Sequence, residues 1–370
     1  MISSTQIQSY AQLPSSLAFR EEQARLFLRK ADIELSDQQL ATLRECRRAA
    51  CLQNLPAVKD LCRSFFKSDL HIAPLPEKGT FYGVYHITIE PNRCYYLRAN
   101  FLLHTPAFAF LFDAWAENFL SQEVPTASIL AIELNRNRPP SDYMLSLSTS
   151  GKTLKQLENP QTQALDATLL LALGQTVAKI HAVLGTNYGP LDISSWQHTL
   201  QVPQGTHTSW SEYLLLHLET HIKRCSEAGV LSTEEATLCS RFLQKEACGV
   251  FESAPSHLLH GDLGHHNIMT DGQQITAILD WEDVLCGDPV FDIASWGTFN
   301  REEMREPFLR GYASIRPLPQ DFEWRYWLYY LRIALAKTVH RLRFHISDPP
   351  NRPPAHLRIH RALEHLKRLS

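Results

Sequence analysis

Four side chains set close together within residues 257–296, His260, Asp262, Asn267 and Asp280, are of types that could do chemistry, and apolar runs flank them. Asp280 and Asn267 offer a carboxylate and an amide oxygen, the hard donors that Mg²⁺ prefers. Asp262, a few residues before Asn267, can face an incoming hydroxyl and accept its proton. A base of this kind beside metal-bridged phosphates suits phosphoryl transfer. Two other readings compete. His257, His260, His265 and His266 crowd the same stretch and could bind zinc, although zinc sites use spaced ligands in a closed set. The stretch could also be two buried strands joined by a polar loop without chemistry.

The elements that must position these groups are short. Leu258 and Leu259 lead into the His260-Gly261-Asp262-Leu263 loop, and the apolar pair Ile268-Met269 follows Asn267. Asp271-Gly272 is a turn signal, because this dipeptide accepts positive φ. Ile275 to Leu279 has strand composition and delivers Asp280 at its end. The reading is a loop, a short strand, a turn and a second strand.

The spacing of His260-Gly261-Asp262-Leu263-Gly264-His265-His266-Asn267, followed by Asp280-Trp281-Glu282, is similar to the protein-kinase pattern H-R-D-L-x-x-x-N and D-F-G. With Gly287-Asp288-Pro289-Val290-Phe291-Asp292-Ile293-Ala294 behind it, it resembles the aminoglycoside phosphotransferase and choline kinase family, in particular its hygromycin phosphotransferase-like branch. The resemblance covers about residues 70–340. It implies an α+β, two-lobe protein-kinase-like fold, with a small β-rich N-lobe and a larger, mainly helical C-lobe. The expected division is an accessory helical segment over 1–70, a nucleotide-binding lobe over 71–148 and a catalytic and substrate-binding lobe over 149–370. It also implies ATP or GTP as donor, Mg²⁺, and the hydroxyl of a small molecule as acceptor: an aminoglycoside, an amino alcohol or a sugar-like metabolite. Asp262 is then the base, and Asn267 and Asp280 hold the metal. Asp292 steadies the backbone of the catalytic loop, with Asp288 close by.

For the nucleotide, the resemblance points to the hairpin that follows Gly79 and Gly83, where glycine lets backbone approach phosphate. Strands are expected near Ile72–Leu75, Val84–Ile89 and Cys94–Asn100. The last carries Arg98 where kinases generally use lysine, and a guanidinium can grip phosphate bidentately. Its acidic partner should lie on the helix Phe108 to Ser121. Asp113 and Glu117 share a face there, one turn apart. The arginine also raises a second possibility, a nucleotide-binding regulatory protein without turnover.

The remaining segments read as scaffold. Ser36-Asp37 caps a helix to Leu52, and Asn54-Leu55-Pro56 opens another to about Phe66. Arg44, Arg47 and Arg48 read as a solvated face. This N-terminal extension could brace the small lobe or make a dimer contact, so monomer and homodimer both stay open. Leu169, Leu170, Leu173, Val177 and Ile180 repeat at helical spacing, with His181 packing or capping behind them. Further helices are expected from Ser209 to about Glu227, from Ser232 to Lys245, over 318–345 and over 355–369. Trp210 and Tyr213 read as core. Arg332, Lys337, Arg341 and Arg343 read as another solvated face.

Composition bounds the rest. The chain has 370 residues, 44% apolar and 20% charged, which suits a globular protein with a substantial core. A formal net charge of −3 gives no bulk case for nucleic acid or membrane. Eight cysteines show no CxxC, and no signal or membrane-length run is evident, so a reducing cytoplasm is expected. Charge is uneven, however. Residues 301–370 hold 14 Lys+Arg against 7 Asp+Glu, net +7, which leaves −10 for the others. A cation with several ammonium groups would meet repulsion there unless Glu282, Asp283, Glu302, Glu303 and Glu306 line the cleft. The expected acceptor is therefore neutral, monocationic or zwitterionic.

Overall fold

The computed structural model describes residues 37–78, 82–89, 93–100, 109–120, 122–134, 142–159, 161, 164–192, 202–343 and 354–370. These fall into two compact units. The first takes in Leu35–Ser150 and Thr276–Glu282, and the second takes in Gly151–Ile275 and Asp283–Ser370. The first 36 residues of the accessory segment expected over 1–70 and the expected glycine at 79 lie outside the described residues.

The first unit is a five-stranded antiparallel sheet with helices on both faces. Helices α1 (Asp37–Gln53) and α2 (Leu55–Phe66) precede β1 (Leu70–Pro74), β2 (Gly83–Ile89) and β3 (Arg93–Asn100). Helix α3 (Ala109–Leu120), β4 (Ile129–Glu133) and β5 (Asp142–Leu147) complete it, and the strand order is β1-β2-β3-β5-β4. Side chains alternate across a pleated strand, and here the alternation sorts the lobe into two cores. Tyr85, Ile87, Leu97 and Ala99 pack with Cys51, Val58 and Cys62 of α1 and α2. Met144 of β5 and Ile129 of β4 pack on the other face with Phe110 and Ala114 of α3. Arg98 lies between Leu97 and Ala99 in sequence, so the pleat turns it toward α3.

Arg47 corrects the reading of the basic cluster as a solvated face. It is 6% exposed. Its guanidinium donates to the carbonyls of Pro76, Lys78 and Tyr82 at 3.0, 3.0 and 3.1 Å, and Arg48 pairs with Glu77. Helix α1 thus grips the β1–β2 loop and braces the small sheet.

In the second unit, β6 (Lys152–Thr153) runs into α4 (Leu154–Leu157), which Thr153 and Gln156 close with a reciprocal capping box. Helix α5 (Ala167–Ile180) follows, capped by Asp166, then β7 (Tyr188–Leu191) and β8 (Gly205–His207). The segment expected as one helix from Ser209 is instead α6 (Trp210–Leu214) and α7 (Leu218–Glu227). His217 adopts φ +55° between them. The carbonyls of Leu214 and Leu216 turn to the guanidinium of Arg332, which also meets His221 Nδ1 at 3.0 Å. A buried cation with three fixed acceptors outweighs helical continuity here. The helix that Ser232 caps, α8 (Thr233–Ser240), widens into a π turn over Arg241–Glu246, and α9 (Cys248–Glu252) follows.

The chain then forms β9 (His257–Leu259), a 3₁₀ turn over His265–Asn267, and β10 (Ile268–Thr270), which pairs with β6. Strand β11 (Ile275–Ile278) carries the chain into the first unit, and it returns through β12 (Leu285–Gly287), the strand that joins β7 and β9 in a four-stranded sheet. Helices α10 (Pro289–Phe299), α11 (Arg305–Ala313), α12 (Phe322–Arg343) and α13 (Ala355–Leu369) finish it. Helices α5 and α11 approach closely through paired glycines. A Cβ at Gly174 would lie 2.1 Å from the Phe308 carbonyl oxygen, and one at Gly311 would lie 2.1 Å from that of Leu171. The basic residues of α12 are not a solvated face: Arg332 is 0% and Arg343 1% exposed.

Candidate active site

In the second unit, the loop after β9 is built around Asp292. Its carboxylate accepts the His260 amide at 2.7 Å and the Gly261 amide at 2.9 Å. His181 Nε2 lies 3.3 Å from the same carboxylate, and His181 Nδ1 lies 3.0 Å from the Tyr312 hydroxyl. All this is buried. Burial pushes the Asp292 carboxyl up, but the His181 bond and the His260 amide outweigh it and hold the group below the usual carboxylate range. Gly261 is required by geometry: its φ is +84°, and a Cβ there would lie 2.1 Å from the Asp283 carbonyl oxygen.

Asp262 emerges from this buried frame. Its amide donates to His260 Nδ1 at 3.1 Å, while its side chain stays 31% exposed. Asn267 Nδ2 donates to the Asp262 carbonyl at 3.0 Å and to Asp262 Oδ2 at 3.3 Å. With the amide nitrogen so committed, Asn267 Oδ1 has no hydrogen-bond donor among the described residues and is available as a hard oxygen ligand. The loop is tied down further by His265, whose Nδ1 sits 2.7 Å from buried Glu158, itself paired with Lys155. Glu158 had no signal in the sequence, and His265 was visible only as one of the crowded histidines.

Those histidines do not form a zinc site. His257 accepts from Arg316 at 2.8 Å, His260 accepts the Asp262 amide, His265 meets Glu158, and His266 lies 3.8 Å from Asp262. Among the described residues no group of three or more His, Cys, Asp or Glu side chains is placed to hold a metal.

In the first unit, Arg98 is the hub. Its guanidinium pairs with Asp113 on α3 and, at 2.7 Å, with Asp280. The rings of Tyr82 and Phe110 flank it, each 5.5 Å from the guanidinium carbon. Burial works against its charge, but Asp113, Asp280 and Glu282 outweigh that and raise its pKa. For Asp113, burial dominates and pushes the carboxyl up despite Arg98, with Asp280 adding to the rise. Asp113 Oδ1 also accepts the Trp281 amide at 3.1 Å, and the Tyr82 hydroxyl reaches Glu282 at 2.6 Å. Glu117 is elsewhere: its carboxylate accepts the Ile129 amide at 3.0 Å. Asp280 adopts φ +66°, a region disfavoured for residues with a Cβ and tolerated best by Asp and Asn. Gly83 opens β2 opposite Ala99.

A family model described as phosphotransferase enzyme family matches residues 71–328. Hygromycin-B 4-O-kinase of Escherichia coli is 25% identical over 218 residues, 55% of this chain and 55% of that protein. Homoserine kinase of Neisseria meningitidis serogroup B is 27% identical over 100 residues, 25% of this chain and 33% of that protein. The chain thus spans about half or less of the length of these curated relatives. A crystal structure of a thermostable mutant of aminoglycoside phosphotransferase APH(4)-Ia, in ternary complex with AMP-PNP and hygromycin B, aligns with a TM-score of 0.61 at 20% identity, covering 84% of this chain and 98% of that one. The α+β kinase-like fold expected from the motifs is therefore the fold found. No helix among the described residues is long and apolar enough to cross a membrane.

Proposed function

The chain belongs to the phosphotransferase enzyme family, and from that premise we propose that it transfers a phosphoryl group from ATP or GTP to a hydroxyl of a small molecule. The observation that supports this most is Asp262. It is a partly exposed carboxylate on a loop that, His266 apart, is otherwise buried and hydrogen-bonded. That is the placement a base needs: a fixed backbone and a carboxylate that solvent can reach.

In this reading Asp262 orients the acceptor hydroxyl and takes its proton. Asn267 and Asp280 are the residues that would hold Mg²⁺, which when bound supplies charge neutralisation to the phosphates. Arg98, steadied by Asp113, contributes a cation for the nucleotide phosphates. Asp292 fixes the loop without touching the reaction. The work is positioning and electrostatics, since phosphoryl transfer asks little covalent chemistry of the protein.

The acceptor belongs to the class of hydroxylated amines, sugars or amino alcohols. The names of the two relatives, a hygromycin B kinase and a homoserine kinase, lie within that range. The test is nucleotide turnover against a panel of aminoglycosides, choline-like amines, sugars and amino alcohols, with ³¹P NMR to identify the phosphorylated product. Acceptor-dependent product formation supports the reading. Nucleotide binding with no product from any member of the panel contradicts it.

A further inference from the structure

Lys337 is a lysine without a carboxylate partner, within Coulombic range of the proposed base. It sits on α12, where it packs against α10. Its Nζ donates to Thr298 Oγ1 at 3.2 Å and Ser295 Oγ at 3.4 Å, and lies 3.2 Å from the centroid of the Phe299 ring. The Thr298 hydroxyl donates onward to the Ser295 carbonyl at 2.7 Å, so its oxygen is turned to accept from the lysine. These partners orient the ammonium but do not neutralise it. Among the described residues no Asp or Glu lies within ion-pair distance of Nζ, whereas Arg325 and Arg305 of the same unit are each held by two carboxylates.

The surroundings fit an anion. The acid with the strongest influence on Lys337 is Asp262, followed by Asp283 and Asp292, so the ammonium stands within Coulombic range of the proposed base. Arg358, buried on α13, adds a second positive charge. Burial pushes Lys337 down to about 7, with Asp262 opposing that fall. Lys337 is half-buried, and a cation so poorly compensated gains from an incoming carboxylate, which would supply the pairing it lacks.

We propose that Lys337 is a specificity residue that binds the carboxylate of the acceptor, so that the favoured substrates are hydroxy acids, above all hydroxy amino acids. The proposal rests on the phosphotransferase reading and narrows its acceptor class. The net charge of +7 over the last seventy residues points the same way, against a polycation.

The experiment compares acceptors matched except for the carboxylate, serine with ethanolamine and homoserine with 3-aminopropan-1-ol, on wild type, Lys337→Met and Lys337→Arg. Both turnover and equilibrium binding are measured. In the wild type, kcat/KM for the acid member should exceed that of its partner by about tenfold or more, as one charge-assisted contact provides. Lys337→Met should remove that preference through KM for the acid, and Lys337→Arg should keep part of it. Lys337→Gln, which still offers Thr298 a donor, replaces Met if that variant does not fold. Equal losses across each pair, as a contact to the transferred phosphoryl group would give, overturn the proposal, and so does a wild type indifferent to the carboxylate. If no acceptor is turned over, the phosphotransferase reading fails and binding decides alone: tighter binding of the acids, lost in Lys337→Met, supports the carboxylate site, and equal binding overturns it.

Discussion

Arg98 Nη1 lies 2.7 Å from Asp280 Oδ1, so one guanidinium on β3 holds the carboxylate proposed as a ligand of the metal. The same group pairs with Asp113, and Glu117, one turn further along α3, is spent on the Ile129 amide. Arg98→Met should therefore raise the nucleotide KM about tenfold or more, since a charge-assisted contact is worth about 1.5–3 kcal/mol. Asp113→Asn should cost more in nucleotide affinity than Glu117→Gln. The check is nucleotide titration of all three variants, and a larger loss in Glu117→Gln would place the partner wrongly.

Metal dependence separates the two proposed ligands. Asp280→Ala removes a charge and should abolish the Mg²⁺ enhancement of nucleotide affinity, whereas Asn267→Ala removes a neutral oxygen and should weaken it less. Isothermal titration with and without Mg²⁺ measures this directly. An unchanged Mg²⁺ effect in Asp280→Ala would remove that residue from the metal site.

Asp292→Ala leaves the His260 and Gly261 amides and His181 without their buried acceptor. Each orphaned donor costs about 1–3 kcal/mol, so the variant should lose on the order of 3 kcal/mol of stability and most of its turnover. Urea unfolding followed by kinetics reads both. A stable, fully active Asp292→Ala would show that the loop does not depend on this carboxylate.

His257 should make the fold acid-sensitive. Burial, with the Arg316 guanidinium beside it, pushes its imidazole down to about 4 from 6.5. The folded state then refuses a proton that the unfolded chain accepts, so stability is intact above pH 6.5 and is lost as pH falls through 4. Two and a half units correspond to on the order of 3 kcal/mol. His257→Gln keeps an acceptor for Arg316 and lacks the titration. Unfolding free energies at pH 7 and 4.5 should fall more steeply in the wild type than in the variant, and parallel losses would refute the assignment.

What could be read from the sequence was what depends on local spacing. The Asp262-to-Asn267 interval, the Asp271-Gly272 turn and the strand ending near Asp280 are neighbours in the chain, and the family resemblance singled out Arg98 at the position where kinases generally use lysine. What escaped depends on long-range partners. Arg47 and Arg332 look like helix-surface cations in sequence, yet each is buried because carbonyls far along the chain accept its protons. The break at His217 is hidden for the same reason, since Arg332 lies more than a hundred residues away. Glu158 carries no motif at all, and only the fold brings it to His265.

Asp262 is the residue on which the functional reading stands or falls. Its carboxylate is proposed to act on the acceptor hydroxyl and not on the nucleotide. The measurement is single-turnover phosphoryl transfer by Asp262→Asn beside an equilibrium nucleotide titration of the same protein, using an acceptor found active with the wild type. The account predicts transfer reduced to no more than a few per cent of wild type, with nucleotide affinity unchanged within about twofold. Transfer near the wild-type rate would contradict it.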